Sequence, residues 1–245
     1  MTNDWLLGGK QMDLEKVKTN LEKKGYVVSI FDHEQGAKNY LRNHIVGKTI
    51  GFGGSQTLTG MDLRHILAVN NQVFVPDFPP AGETFLDVAD KAADAEIYLL
   101  SANAMSENGE IINIDYGGNR LAGSLWGHRK VIYVVGENKI VGTLEDAVHR
   151  ARNVASPRNA LRYRRNTPCA VSVIETLLKK FCEQYPDGDQ LQWQCFIEGL
   201  TEEELNTKCY DCKGPDRICG SLLIHWQKPI AMDAEVLIIR DRKGF

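Results

Sequence analysis

"TIGFGGSQTLTG", residues Thr49–Gly60, packs four glycines and four hydroxyl side chains into twelve residues, between an apolar run and a helix-like segment. A glycine-rich turn from strand to helix is where α/β proteins present backbone N–H groups to anions. Three readings of the stretch stand side by side. A dinucleotide fingerprint wants G-x-G-x-x-G after a strand and an acidic residue about 20 positions on. Gly51, Gly53 and Asp77 meet it, but Gln56 replaces the third glycine and the stretch follows a second strand, not the first. An anion loop would use the N–H groups of Gly53, Gly54 and Ser55 with the hydroxyls of Ser55, Thr57 and Thr59. A plain tight turn would spend the same hydroxyls on capping the helix. The anion loop is the preferred reading.

Helix and strand patterns alternate on both sides of this loop. Upstream, Leu14, Val17 and Leu21 recur at helical spacing before Gly25, then "YVVSIF" reads as a strand and "HEQGAKNYLRNHI" as a helix. Downstream come "GMDLRHILAVN" (helix), "QVFVP" (strand), "ETFLDVADKAAD" (helix) and "AEIYLL" (strand). The alternation predicts an α/β fold, a mainly parallel sheet flanked by helices. Asn108-Gly109 then predicts a hairpin, because both turn positions tolerate positive φ. "KVIYVVG" is a further apolar strand, and Thr143 with Asp146 predicts a capped helix that Pro157 interrupts. "VIETLLKKFCEQY" reads as a helix, and "SLLIHW" and "EVLIIR" read as closing strands. With no repeat and no low-complexity linker, residues 1–245 are expected to form one domain.

The 43% hydrophobic and 25% charged composition suits a globular protein with a full core. A net charge of -3 gives no reason to expect a nucleic-acid partner. No apolar run approaches the length of a membrane span, and "MTNDWLLGGKQMD" lacks the basic start and apolar run of a leader. The expectation is a cytoplasmic protein, away from membranes, with its six cysteines as thiols or metal ligands. The oligomeric state stays open, an oligomer included.

"SANAMSENGEIINIDYGGNRLAGSLWGHRKVIYVVGENKIV", residues 101–141, is the most informative run. Its hairpin delivers Asp115 to the C-terminal end of a strand, where open α/β sheets bind ligands. Asp115 is read either as a carboxylate base or as an Asx turn holding the loop. Asn119 and Arg120 are placed to hold a carboxylate or phosphate, Arg120 by its planar fork. Asn138 and Lys139 either join the same site or form an exposed turn. The segment resembles the lactate-utilisation (LUD) domain family in its asparagine-alanine start, N/D-G hairpin, "D-x-x-G-N-R" turn, apolar strand and "G-x-N-K-I". The glycine loop is likewise similar to that of ribose-5-phosphate isomerases, within the isomerase/coenzyme A-transferase-like fold, where the loop holds phosphate or coenzyme A. The resemblance implies a component of a system oxidising L-lactate to pyruvate beside iron–sulfur partner proteins, with a small anionic ligand at the loop. Non-catalytic accessory roles, and a sugar-phosphate or coenzyme A-dependent enzyme, are the alternatives it leaves.

Arg150, Arg152, Arg158, Arg162, Arg164 and Arg165 crowd one segment, read as a solvated helix face in preference to an anion or docking site. His128 and His149 read as surface residues. Cys169 in "TPCA" and Cys209, Cys212 and Cys219 in "CYDCKGPDRICG" also match the LUD pattern, with Gly214 where serine is usual. Residues from about 171 to 206 look like a helical insertion ahead of this 209–219 loop, and they bring Cys182 and Cys195. Four thiolates suit zinc or an iron–sulfur cluster; reduced thiols in a proline-locked loop are the alternative.

Overall fold

The computed structural model describes residues 12–241 and Gly244. The leader reading of residues 1–13 therefore lies almost wholly outside the described residues. The strands run β1 (Val27–Phe31), β2 (Thr49–Phe52), β3 (Gln72–Phe74), β4 (Ile97–Leu100) and β5 (Ala104–Ser106). They continue with β6 (Ile111–Asp115), β7 (Lys130–Gly136), β8 (Ile140–Val141), β9 (Ser221–His225) and β10 (Asp233–Ile239). Six of them form an all-parallel sheet in the order β1-β10-β7-β4-β2-β3, as the alternation predicts.

The central strands β4 and β7, and β10 from Val236 onward, are near-continuous apolar runs because helices cover both faces. Alternate residues divide between two cores. Tyr98, Leu100, Tyr133, Val236 and Ile238 pack with the helix Leu14–Lys23 on one face. Leu99, Ile132, Val134, Leu237 and Ile239 pack with the helices Glu34–His44 and Leu63–Ala68 on the other. At Gly51 the helix Phe85–Ala93 approaches so closely that a Cβ would lie 2.3 Å from the Ala92 carbonyl oxygen. Gly51 thus serves strand–helix packing.

A second sheet, ordered β8-β5-β6-β9, lies beside the first. Its hairpin β5–β6 forms where expected, with a different turn. Gly109 N–H bonds the Ser106 carbonyl at 2.9 Å, and Gly109 alone of the pair has positive φ. The loop is therefore three residues with an αL glycine in last place, not a two-residue turn. "EVLIIR" does not close an edge; β10 enters the middle of the main sheet between β1 and β7.

Pro157 does not end its helix. The capping box of Thr143 and Asp146 opens the helix Leu144–Arg150, which passes through a π-helical turn, Ala151–Ala155, into the helix Ser156–Arg162. The wide turn carries the Ser156 N–H to the Ala151 carbonyl, one residue beyond an α-helical partner. That local widening accommodates a proline that donates no hydrogen bond. Segment 168–205 is helical, with its own core around Phe181 and Trp193. Among the described residues no helix is long and apolar enough to cross a membrane.

Candidate anion site at the strand ends

The chain leaves β2 for the outer strand β3 and returns to β4 on the other side of β2. Loops after β2 and β4 therefore diverge, and such a switch point opens a crevice at the C-terminal strand ends. Three strand ends meet there. Thr57 follows β2, Ser101 follows β4, and Lys139 sits on the 3-10 turn Glu137–Lys139 after β7. Lys139 Nζ donates to Thr57 Oγ1 at 2.8 Å and to Ser101 Oγ at 3.2 Å, and the two hydroxyls lie 3.3 Å apart.

Lys139 is only 3% exposed, so the reading of an exposed turn does not hold. Burial, reinforced by the charges of Arg150 and Arg120, holds its pKa well below the usual lysine value. Among the described residues no carboxylate pairs with it within 4 Å. An ammonium so placed is electrostatically unfinished.

Arg120 forms a second wall. Its guanidinium donates to the Gly54 carbonyl at 3.2 Å and to the Ile114 carbonyl, and its buried Nε has no hydrogen-bond partner among the described residues. Asp115 accepts the backbone N–H groups of Arg120 (3.1 Å) and Tyr116 (3.0 Å), and lies 3.9 Å from Arg120 Nη2. Its carboxylate thus ties the turn that carries Arg120. The Asn119 carbonyl accepts the Tyr98 hydroxyl at 3.2 Å.

In the glycine loop, Ser55 caps the short helix Gln56–Gly60 by accepting the Leu58 N–H at 3.4 Å, while Thr57 faces Lys139. The loop therefore combines the capping reading with a hydroxyl turned toward the buried Lys139. Gly53 packs against Arg120 and Tyr98, and Gly54 against Asp77. Asp77 lines a cavity of about 40 Å³ with Gly53, Gly54 and Phe78. Burial raises its carboxyl pKa, opposed by the charges of Arg162 and Arg120. Asn138 Nδ2 donates to the Gly244 carbonyl at 3.2 Å, and a Cβ on Gly244 would lie 3.3 Å from Lys139 Nζ. A peptide unit thus stands beside the lysine.

Two sequence readings are corrected here. Arg150, Arg158 and Arg162 are not a solvated face; they are 1%, 1% and 5% exposed. They lie inward with Ala147, Ala151, Val154 and Leu161, and only Arg152, Arg164 and Arg165 face solvent. The apolar periodicity of 147–161, with arginines interleaved in it, was the available signal. His128 is also buried, bonded through Nδ1 to the Ala95 carbonyl at 2.6 Å and stacked on Tyr98, whereas His149 is exposed. Ser101 escaped the sequence reading, although it is the first polar residue after the apolar run of β4.

Burial raises the Cys169 thiol pKa, opposed by its contact with the Thr167 hydroxyl (3.2 Å) and reinforced by the neighbouring Cys212 and Cys219. Arg217 organises the loop, donating to the carbonyls of Cys212 (2.6 Å) and Cys219 (2.9 Å). The Cys209 sulfur accepts from Arg152 Nη2 (3.6 Å) and the Asp211 N–H (3.4 Å). Among the described residues no three His, Cys, Asp or Glu side chains are arranged to hold a metal ion.

Fold and crevice define an α/β protein with a basic site at the switch point of a parallel sheet. Residues 14–219 match the family model described as the LUD domain, and the chain belongs to that family. It is a lactate-utilisation-related protein. It is similar in structure to a DUF162 family protein from Deinococcus radiodurans, at 14% identity and a TM-score of 0.42, over 92% of this chain and 95% of that one. No curated protein matches the sequence.

Proposed function

We propose that this chain binds a small carboxylate, L-lactate or pyruvate, in the crevice between the glycine loop, Arg120 and Lys139, as a component of a lactate-oxidising system. The observation that carries the reading is Lys139, a buried lysine with two hydroxyl partners, two guanidinium neighbours and no ion-paired acid among the described residues, so that its protonated form lacks a counter-charge. A ligand carboxylate supplies the missing charge, with Thr57 and Ser101 orienting the lysine. Arg120 offers the carboxylate the Nη hydrogens that its bonds to the Gly54 and Ile114 carbonyls leave, and Asp115 acts on the ligand through Arg120 by fixing the turn. Oxidising lactate to pyruvate releases two electrons and two protons. On this reading the electrons pass to iron–sulfur partner proteins, and this chain's residues bind and orient.

Calorimetric titration with L-lactate and pyruvate tests this. Saturable binding, lost in Arg120→Ala while the fold persists, is expected. Binding unchanged in that variant would overturn the site. Binding of inorganic phosphate with neither organic acid would overturn the ligand and leave the anion site standing.

The cysteine loop supports a second reading, an accessory module sensing through a metal or cluster, favoured by the approach of Cys169 to Cys212 and Cys219 across more than 40 residues of sequence. Stoichiometric zinc or iron in anaerobically purified protein would carry it; metal-free protein of full stability would sink it.

A further inference from the structure

A second cleft, of about 240 Å³, opens at the other end of the main sheet, where β2, β4 and β7 begin. Lys130 opens β7 and the candidate anion site follows its far end, so the two lie roughly 20 Å apart along the strand. Leu41 from the helix Glu34–His44 and Ile45 just after it, with Ile97 and Ile132 from the sheet, make its walls aliphatic.

At its base stands Glu235 on β10, 1% exposed, on the face that Leu237 and Ile239 give to the aliphatic core. Both carboxylate oxygens are engaged, one by the Tyr40 hydroxyl at 2.6 Å and one by Lys130 Nζ at 2.5 Å. At the rim Lys48 pairs with Glu96 at 3.1 Å. These pairs leave Arg129, exposed and without an ion pair within 4 Å among the described residues. The rings of Tyr40 and His44 stack at 4.1 Å and close one side with a flat wall.

Apolar walls with a few fixed polar groups and one cation outside any close ion pair are the pattern of a small-molecule pocket. The charge selects the ligand. Two acids face three cations, a surplus of one. A dianion would have to break one of the pairs, and breaking the buried Glu235 pair is the costlier choice. A cation would meet the surplus positive charge, which Glu96, shared between Lys48 and Arg129, offsets only in part.

We propose that this cleft binds a monocarboxylate with a flat apolar body, its carboxylate on the Arg129 guanidinium and its body between the aliphatic walls and the Tyr40–His44 stack. The planar fork of arginine suits a carboxylate, and the apolar body gains from leaving water. This inference is independent of the lactate reading, since it uses other residues at the other end of the sheet.

Phenylacetate is the probe, followed by saturation-transfer NMR and calorimetry on the full chain. Saturable binding is expected, weakened about 10-fold or more in Arg129→Ala, as loss of a charged hydrogen bond implies. Lys139→Ala is expected to leave phenylacetate affinity unchanged. Ile97→Phe, which fills the cleft, is expected to abolish binding; if that variant does not fold, Arg129→Glu at the exposed rim serves instead. No saturable binding, undiminished binding in Arg129→Ala, or binding lost in Lys139→Ala would each overturn the proposal.

Discussion

Replacing Lys139 by methionine separates a functional lysine from a structural one. Methionine keeps most of the volume and removes a charge that lies 3% exposed. Burying an ammonium costs several kcal/mol even after relaxation. Its two hydroxyl bonds, at about 1.5 kcal/mol or more each, return part of that, and Thr57 and Ser101 remain 3.3 Å apart to bond each other. The difference favours Lys139→Met by about 2 kcal/mol in the unliganded protein, a rise in Tm of about 5 °C for a chain of this size. The pH dependence carries a sign. Lys139's folded pKa is depressed below its ordinary 10.5, so between the two values the unfolded chain binds more protons and wild-type stability rises with pH. The advantage of Lys139→Met therefore shrinks as pH climbs toward 10.5. Thermal melts from neutral to alkaline pH, with lactate titrations beside them, test all of this. A Lys139→Met protein less stable than wild type at neutral pH, or one that still binds the ligand, would refute the reasoning.

Three further outcomes are expected. Gly51→Ala would place its Cβ 2.3 Å from the Ala92 carbonyl oxygen and should cost about 2 kcal/mol or more in a urea melt; an unchanged midpoint would show that the strand–helix approach yields freely. Arg217→Ala removes the bonds to the Cys212 and Cys219 carbonyls, and thiol labelling of those cysteines should accelerate several-fold over the wild-type rate. Equal labelling rates would mean that something else orders the loop. Deleting Gly244 and Phe245 takes away the carbonyl that Asn138 holds beside Lys139, and lactate affinity should rise a few-fold; unchanged or weaker binding would count against competition at that spot.

Much of the chain was legible as sequence because its signals are local. Leu14, Val17 and Leu21 mark a buried helical stripe, and the aliphatic runs of β4 and β7 mark strands covered on both faces. The capping box of Thr143 and Asp146 is likewise a short-range match of side chains to orphan amides. Pro157 misled because the rule for proline is local too, while the π turn that admits it depends on the packing of the whole 144–162 segment.

The sequence by itself determined the order of helices and strands, the glycine turn after β2, the Asp115–Arg120 turn and the family. Each rests on residues within a few positions of one another. Only the tertiary structure decided which strand ends meet. Strand order is a long-range choice, and it alone brings Thr57, Ser101 and Lys139 within hydrogen-bonding distance across 82 positions. It also decided which arginines face inward, since the composition of 150–165 is the same for a solvated face and for a buried one. The direction of a side chain is set by what packs against its element, and that information is spread over the whole chain.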